Sequence, residues 1–242
     1  MQTGSMPAAT TLSTIGFDAD DTLWQNEQFY QTTQAHFIEL LKDYADPREL
    51  PDQLLTVMLR NVGHYGFGIK SFTLSMVETA IEVTEGRAPA SVIANILAAG
   101  REMAAHPVET LPHARETLEV LAEKYRLVLI TKGDLFDQER KIAQSGLGEL
   151  FQAVEIVSDK NRSTYERVFE RHGDGPDKSM MIGNSLKSDV LPAIEAGSWG
   201  VYVPHDLTWA YEHAEAPEGE GRFRQVEHLG KIAALIDEIE RG

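Results

Sequence analysis

The chain has 242 residues, a length that fits one core domain with a sizeable insertion and allows a large buried core. Its net charge of −16, from 22 Lys and Arg against 38 Asp and Glu, disfavours nucleic acids and anionic membranes as partners. The absence of cysteine excludes disulfides, thiolate zinc sites and thiol nucleophiles, and no apolar run approaches membrane-spanning length. Because the N-terminus also lacks the apolar core of a signal peptide, we expect a soluble cytoplasmic protein.

The first predicted element is an apolar, β-prone strand at residues 12–17, which is followed at once by carboxylates. Asp18, Asp20 and Asp21 lie where this buried strand should end, and ligands of open α/β sheets usually bind at such ends. Carboxylate oxygens there are natural ligands of a divalent cation. A turn or helix cap formed by Asp20, Asp21 and Thr22 is the alternative that this stretch alone leaves open.

Residues 25–106 show helical periodicity and contain no strand-like run. Apolar positions at helical spacing predict four helices in this region. The first helix stops before Asp46 and Pro47, a glycine-rich break at 63–68 separates the second from the third, and the fourth ends before Pro107. We therefore predict a four-helix unit inserted directly after the first strand.

From residue 107 the chain alternates between helical and strand-like segments, which is typical of βαβ units around a parallel sheet. Apolar runs predict further strands at residues 127–130, 154–157, 180–182 and 199–203. A helix is predicted to start near Ser188, and residues 214–222 have the composition of a polar loop. The predicted fold is α/β, with a doubly wound, Rossmann-like parallel sheet formed by residues 1–24 and 107–242.

Polar residues follow four of the predicted strands. They are Asp18, Thr131, Lys160, and Asn184 together with Asp189. Because the carboxyl ends of parallel strands meet at one edge of a sheet, we expect these side chains to gather there. Each has a structural explanation of its own as a turn residue, a helix cap or a solvated surface charge. Those explanations do not account for a cation, a hydroxyl and several acids at successive strand ends, so we interpret the set as a site.

These motifs resemble those of the haloacid dehalogenase-like hydrolases, and specifically the phosphatases of that superfamily with a helical cap inserted after the first motif. Residues 18–22 match the first motif of the family, Thr131 the second, Lys160 the third and residues 183–189 the fourth. The resemblance covers nearly the whole chain. It implies a Rossmann-like catalytic core, with residues 25–106 as the cap.

The resemblance implies a Mg²⁺-dependent phosphatase that acts on a small phosphorylated metabolite. In such an enzyme Asp18 would attack phosphorus to give an aspartyl-phosphate, and Asp20 would protonate the leaving oxygen and later activate water. Thr131 would hydrogen-bond a phosphoryl oxygen. Lys160 would bridge the phosphate and the Asp18 carboxylate.

The resemblance also implies a magnesium site formed by Asp18, by the backbone carbonyl of Asp20, and by Asn184 or Asp189. Most relatives have Asp at the position of Asn184, so one ligand would be neutral here and magnesium affinity would be reduced. This departure leaves open a phosphate- or metal-binding regulatory protein with impaired catalysis. A dehalogenase is the other alternative, which Asp20 and Lys160 disfavour because a departing halide needs no proton.

The break between the second and third predicted helices is the candidate region for substrate recognition. His64, Tyr65 and Lys70 can donate hydrogen bonds to a polar ligand, and the glycines of the break allow the backbone to approach one. Lys132 is a further substrate-binding candidate. The alternative is a plain connection between two helices with exposed aromatic side chains. The pattern makes no prediction of oligomeric state.

Overall fold

The computed structural model describes residues 11–217 and 219–242, and its chain divides into two compact units. The core unit contains residues 11–25, Glu109–Thr131 and the described part of Ile142–Gly242. The helical unit contains Asn26–Val108 and Lys132–Lys141. Residues 1–10, which the sequence assigns to the core, lie outside the described residues. Within the described ranges, no helix has both the length and the apolar character required to cross a lipid bilayer.

The core unit is built on a six-stranded sheet in the part of the chain that the structure describes. Its strands are β1 (Thr14–Phe17), β2 (Arg126–Lys132), β3 (Ala153–Val157), β4 (Ser179–Gly183), β5 (Trp199–Tyr202) and β6 (Phe223–Gln225). The strand order is β3-β2-β1-β4-β5-β6, with β1 paired in parallel to β2 and β4, and β5 paired in parallel to β4 and β6. This is the order of a Rossmann-like doubly wound fold, as the sequence predicts.

The central strands are buried on both faces, which explains their nearly continuous apolar sequences. Gly16 in β1 is tightly surrounded, because a Cβ there would lie 3.1 Å from side-chain atoms of Ile130, Met181 and Phe169, which would have to shift by a few tenths of an ångström. Phe17 stands opposite Leu129 of β2 and Ile182 of β4. The residues that follow β1, β2 and β4 therefore come out at the same edge of the sheet.

The helices follow the predicted alternation. They are α1 (Glu27–Leu41), α2 (Leu50–Tyr65), α3 (Ile69–Val83), α4 (Ala90–Ala105), α5 (Ala114–Ala122), α6 (Leu135–Ser145), α7 (Arg162–His172), α8 (Leu191–Glu195) and α9 (Ile232–Arg241). The first four correspond to the four helices predicted between residues 25 and 106. Their buried apolar side chains form a core of their own, with Phe37, Leu54, Phe72, Met76 and Ile96 among its members.

Residues 132–141 group with the helical unit, although the sequence places them in the core. Arg140 donates a hydrogen bond from Nη1 to the carbonyl of His106 at 3.0 Å. Lys141 donates from Nζ to Asn26 Oδ1 at 3.2 Å. These two contacts attach the segment to both ends of the long stretch Asn26–Val108. The chain consequently passes from the core unit to the helical unit between Thr131 and Lys132 and returns after Lys141.

Two elements differ from the sequence prediction. The strand β6 was not predicted, because it contains only three residues, two of them polar. The helix expected to start near Ser188 begins only at Leu191, with Pro192 in its first positions, and a π-helical turn at Leu186–Val190 precedes it. Pro is tolerated at the start of a helix because its missing N–H has no intrahelical partner there.

Candidate active site

Asp18 is the first residue beyond β1, and the sheet fixes its position. Its N–H donates to the carbonyl of Ile182 at 2.9 Å, which extends the pairing with β4 by one residue. Its Oδ2 atom accepts a hydrogen bond from Thr22 Oγ1 at 3.0 Å. The chain then turns, and Asp21 adopts a left-handed backbone conformation with φ of 60°, which Asp tolerates better than most residues.

Lys160 lies between two carboxylates at the centre of the site. Its Nζ atom donates to Asp18 Oδ1 and, at 2.7 Å, to Asp189 Oδ1. The side chains of Lys160, Asp18 and Asp189 are only 2%, 9% and 1% exposed. The structure thus brings together three of the residues that the strand-end argument selected, from sequence positions far apart.

The electrostatics of this cluster keep Lys160 charged. Burial alone would lower the pKa of its ammonium group, but attraction by Asp18 and Asp189, together with their hydrogen bonds, outweighs burial and raises the pKa. The pKa of the Asp189 carboxyl is also raised, first by burial and then by the neighbouring charge of Asp18, and Lys160 opposes this only partly. The site therefore supplies one permanent positive charge beside Asp18.

The loop after β4 carries Asn184 and Asp189 through a compact turn. A Cβ on Gly183 would lie 2.2 Å from Asp189 Oδ2, so only glycine allows the Asp189 carboxylate to sit above the strand end. The same Oδ2 accepts a hydrogen bond from the backbone N–H of Ser185 at 2.9 Å. The side chain of Ser185 in turn accepts from the N–H of Ser188, which caps the π-helical turn. Such turns are frequent at functional sites.

The oxygens around Asn184 fit a small hard cation. One terminal amide atom of Asn184 lies 3.2 Å from Asp18 Oδ2, from the Asp20 carbonyl oxygen and from Thr22 Oγ1. A nitrogen at this point donates to these oxygens, whereas rotation of the amide by half a turn places its oxygen among them. Adjacent ligands of an octahedral Mg²⁺ ion stand about 3.0 Å apart, so the Asn184 oxygen, Asp18 and the Asp20 carbonyl have suitable spacing.

The same donor set contains few acidic side chains. Within the described residues, no three His, Asp or Glu side chains converge as a metal site. Asp189 uses both carboxylate oxygens for hydrogen bonds, one from Lys160 and one from Ser185. The side chain of Asp20 accepts a hydrogen bond from the indole of Trp24 at 2.7 Å, so it is its backbone carbonyl that faces Asn184.

Thr131 is buried near the end of β2, two residues beyond Leu129, which pairs with Phe17. It is therefore at the edge of the sheet where Asp18 emerges from β1. The backbone thus has the arrangement expected for Thr131, and its hydroxyl role in catalysis stays a prediction.

The candidate substrate residues belong to the helical unit. His64 and Tyr65 end α2, and Lys70 lies in the first turn of α3. The Lys70 ammonium lies 2.8 Å from Asp134 Oδ1, and Lys132 Nζ lies 4.3 Å from the centre of the Phe67 ring.

The break between α2 and α3 therefore packs against the segment that follows β2. Gly68 has a φ of +112°, and a Cβ on it would lie 2.7 Å from the Asp134 nitrogen, so glycine is required there. This close approach inside the helical unit accounts for one glycine of the break.

Sequence reasoning missed several residues of the site. Thr22 is one that the first motif could have revealed, since its hydroxyl contacts both Asp18 and the Asn184 backbone N–H. Trp24 holds Asp20, and His205 Nε2 lies 3.8 Å from Asp21 Oδ1 and 3.3 Å from Gln25 Oε1. His205 follows β5, where the strand-end argument applies equally.

The fold and the site define an α/β enzyme whose polar residues gather at the carboxyl edge of a parallel sheet. The sequence profile of the haloacid dehalogenase-like hydrolases matches residues 12–197. The chain belongs to this family, and it is a hydrolase.

Individual relatives cover nearly the whole chain. A glyceraldehyde 3-phosphate phosphatase from Methanothermobacter thermautotrophicus is 26% identical over 242 residues, which is 95% of this chain and 97% of the relative. The crystal structure of a hydrolase of the same family from Xanthomonas campestris has 41% identity and a TM-score of 0.85, and covers 98% of this chain and 95% of its own. A family hydrolase from Bacillus subtilis, solved with magnesium bound, shares the fold, with 17% identity, a TM-score of 0.64, and coverage of 94% and 99%.

Proposed function

We propose that the protein is a Mg²⁺-dependent phosphatase that hydrolyses a small phosphorylated metabolite through an aspartyl-phosphate on Asp18. The observation that carries this proposal is the buried Lys160, which contacts both Asp18 and Asp189 at the end of the central strand. The phosphatase from Methanothermobacter thermautotrophicus supports the reaction class, and it makes glyceraldehyde 3-phosphate the first metabolite to assay.

Asp18 acts as the nucleophile. An anionic carboxylate approaches an anionic phosphoryl group only where positive charge offsets their repulsion. Lys160 supplies such charge from a position in contact with Asp18 Oδ1, while Thr22 holds Oδ2. With both oxygens held, the carboxylate keeps a fixed direction. In this proposal the hydroxyl of Thr131 donates a hydrogen bond to a phosphoryl oxygen.

Asp20 acts first as the general acid and then as the general base. It protonates the leaving alcohol oxygen while the bond from phosphorus to Asp18 forms, and it later takes a proton from the water that hydrolyses the acyl phosphate. The hydrogen bond from Trp24 Nε1 to Asp20 Oδ1 fixes one carboxylate oxygen and orients the group. A halide leaves without a proton, so this acid favours phosphate chemistry over dehalogenation.

Asp18, the Asp20 carbonyl and Asn184 are the proposed magnesium ligands. When bound there, Mg²⁺ supplies further positive charge against the phosphoryl oxygens. Both carboxylate oxygens of Asp189 accept hydrogen bonds, one from Lys160 and one from Ser185. We therefore propose that Asp189 positions Lys160 and the loop after β4. The magnesium-bound hydrolase from Bacillus subtilis supports the choice of metal.

The helical unit is proposed to act as the cap that selects the substrate. His64, Tyr65, Lys70 and Lys132 are the proposed contacts to the part of the metabolite that is not transferred. Tyr65 is 55% exposed, and the ammonium of Lys70 is held at a defined place by Asp134. An ordered, exposed set of hydrogen-bond donors is suited to a polar, anionic ligand.

Turnover of p-nitrophenyl phosphate tests the proposed function, with MgCl₂ and with EDTA, and with chloroacetate as the competing substrate. We expect phosphate release that needs Mg²⁺ and that is lost in Asp18→Asn, a nearly isosteric change that should leave the fold intact. Halide release without phosphate release would identify a dehalogenase. No turnover of any phosphate ester would identify a non-catalytic binding protein.

A further inference from the structure

The carboxylate of Glu212 connects the segment after β5, residues 203–217, to the loop after β4. Glu212 lies in a short 3-10 turn, Ala210–Glu212. Its Oε2 atom accepts hydrogen bonds from the hydroxyls of both Ser185 and Ser188. One acidic side chain thus joins the two serines of the fourth motif.

A second contact lies beside the first. Lys187 donates from Nζ to the carbonyl of Tyr211 at 2.9 Å, and the same Nζ lies 3.4 Å from the centre of the Tyr211 ring. Residues 211–212 therefore hold the loop after β4 at three points. No sequence spacing links these two segments, so the contact appears only in the folded chain.

The two serines that donate hydrogen bonds to Glu212 are adjacent in the chain to residues of the site. The N–H of Ser185 donates to Asp189 Oδ2, and Ser185 is bonded directly to Asn184 in the chain. Ser188 precedes Asp189, and its carbonyl accepts a hydrogen bond from Tyr165 at 2.8 Å. A displacement of either serine would therefore move Asn184 away from Asp18 or Asp189 away from Lys160.

We propose that Glu212 is a positioning residue, which locks the π-helical turn Leu186–Val190 so that Asn184 and Asp189 face Asp18 and Lys160. It acts through Ser185 and Ser188 and does not touch the substrate. A π-helical turn is rare, and the hydrogen bonds from Ser185 and Ser188 to Glu212 hold this one from outside, where it leads into α8. The catalytic consequence rests on the proposed phosphatase function, whereas the ordering of the loop does not.

The test compares Glu212→Ala and Glu212→Gln with Glu215→Ala, an exposed acidic residue of the same segment. Three quantities are measured: kcat/KM for p-nitrophenyl phosphate, the MgCl₂ concentration that gives half-maximal rate, and amide hydrogen exchange at residues 184–190. We expect Glu212→Ala to lower kcat/KM about 10- to 100-fold and to raise the half-activating magnesium concentration. Exchange should become faster at residues 184–190 and stay unchanged in β1 and β4.

The glutamine variant separates a hydrogen-bond role from a charge role. Gln keeps an oxygen that accepts from the serine hydroxyls, so Glu212→Gln should recover most of the kcat/KM lost in Glu212→Ala. The proposal is overturned if Gln is as impaired as Ala, if Ala behaves like the Glu215→Ala control, or if faster exchange spreads through the sheet. If the unmodified enzyme hydrolyses no phosphate ester, the proposed function fails, and the exchange rates still decide the role of Glu212.

Discussion

Lys160 is the buried cation between the carboxylates of Asp18 and Asp189. In a Lys160→Met variant the carboxylates of Asp18 and Asp189 would remain buried without a cation between them. We expect the free energy of unfolding at about pH 9, where Asp189 carries its charge, to fall by about 3–5 kcal/mol, measured by urea denaturation. The exposed Lys178 provides a control, since Lys178→Met should stay within about 0.5 kcal/mol of the unmodified protein.

The pH dependence of this deficit follows from Asp189. Because burial and Asp18 raise the pKa of the Asp189 carboxyl, it takes up a proton at a higher pH than an exposed aspartate. Protonation removes the charge that Met cannot compensate. With Lys160 present this pKa is raised to about 7, and removal of the cation raises it further, so the variant takes up the proton above pH 7. The stability difference between Lys160→Met and the unmodified protein should therefore shrink as the pH falls from about 9 to about 7, and a difference that grows instead would contradict this account.

We expect Asn184→Asp to destabilise the metal-free protein and to increase its affinity for magnesium. The new carboxylate would stand 3.2 Å from Asp18 Oδ2 and the Asp20 carbonyl, so repulsion should lower the Tm in EDTA. The added charged ligand should tighten magnesium binding, measured by calorimetry, and enlarge the Tm gain on adding MgCl₂. Weaker magnesium binding in this variant would mean that residue 184 does not contact the metal.

At the residue scale the sequence predicted those members of the site that lie at or just beyond the end of a strand. Asp18 and Asn184 directly follow β1 and β4, and Thr131 is the last residue but one of β2. Parallel strands end at one edge of the sheet, and that rule needs no knowledge of loops. Glu212 and Trp24 were not predicted as residues of the site, because neither lies at the end of a strand. Each contacts the site through a loop or turn whose path depends on tertiary contacts.

At the scale of the elements, hydrogen bonds of Glu240 connect α9 to the residues that precede β1 and β2. Glu240 accepts hydrogen bonds from the Leu12 N–H and from the Tyr125 hydroxyl, both at 3.1 Å. Its helix also buries Ile232, Ile236 and Ile239. The last helix of the chain thus contacts residues that lead into β1 and β2.

Tyr125→Phe tests this attachment through pH. Burial and then the hydrogen bond to Glu240 raise the pKa of Tyr125 to about 12, against about 10 in the unfolded chain. The unfolded chain therefore loses the tyrosine proton first, and this contribution to stability is complete below about pH 10 and disappears towards about pH 12. As the pH rises from about 10 to about 12, the free energy of unfolding, measured by denaturation, should therefore fall less in Tyr125→Phe than in the unmodified protein.

At neutral pH the same variant lacks only the hydroxyl. Its free energy of unfolding should fall by about 0.5–1.5 kcal/mol, the usual contribution of one hydrogen bond. Identical alkaline slopes in the two proteins would show that Tyr125 ionises equally in the folded and unfolded states.

The elements were predicted best where apolar periodicity is strong. The helices α1 to α4 repeat apolar residues at helical spacing, the strands β1 to β5 contain short apolar runs, and all of them lie close to the expected positions. The strand β6 is too short to show a pattern. The turn Leu186–Val190 has a period that matches neither the helix nor the strand pattern, so the α-helix was predicted to start before Leu191, where it begins.

At the scale of the whole molecule, the helical unit is proposed to choose the substrate. Lys70→Ala and His64→Ala should lower kcat/KM for the best metabolite found in a substrate screen more than for p-nitrophenyl phosphate, which lacks the corresponding polar groups. Lys42→Ala is the control, since Lys42 forms an exposed ion pair with Glu39 elsewhere in the same unit. Equal effects on both substrates would assign specificity to other residues.

Asp134→Ala separates two explanations of a Lys70 effect. It removes the same ion pair but keeps the Lys70 side chain and its charge. A loss confined to Lys70→Ala indicates contact with the substrate. Equal losses in both variants indicate that the ion pair orders the segment.

The central position of β1 has a consequence for protein synthesis. β1 is translated first, yet its partner β4 begins only at Ser179, so on the order of ten seconds of translation separates the two. During this interval an apolar strand has an unpaired edge, which is a template for association with other chains. The helical unit, which is translated in between, has its own apolar core to bury. Mutations that delay the pairing of β1 with β4 would therefore reduce the yield of folded protein from the ribosome while leaving the turnover of each folded molecule unchanged.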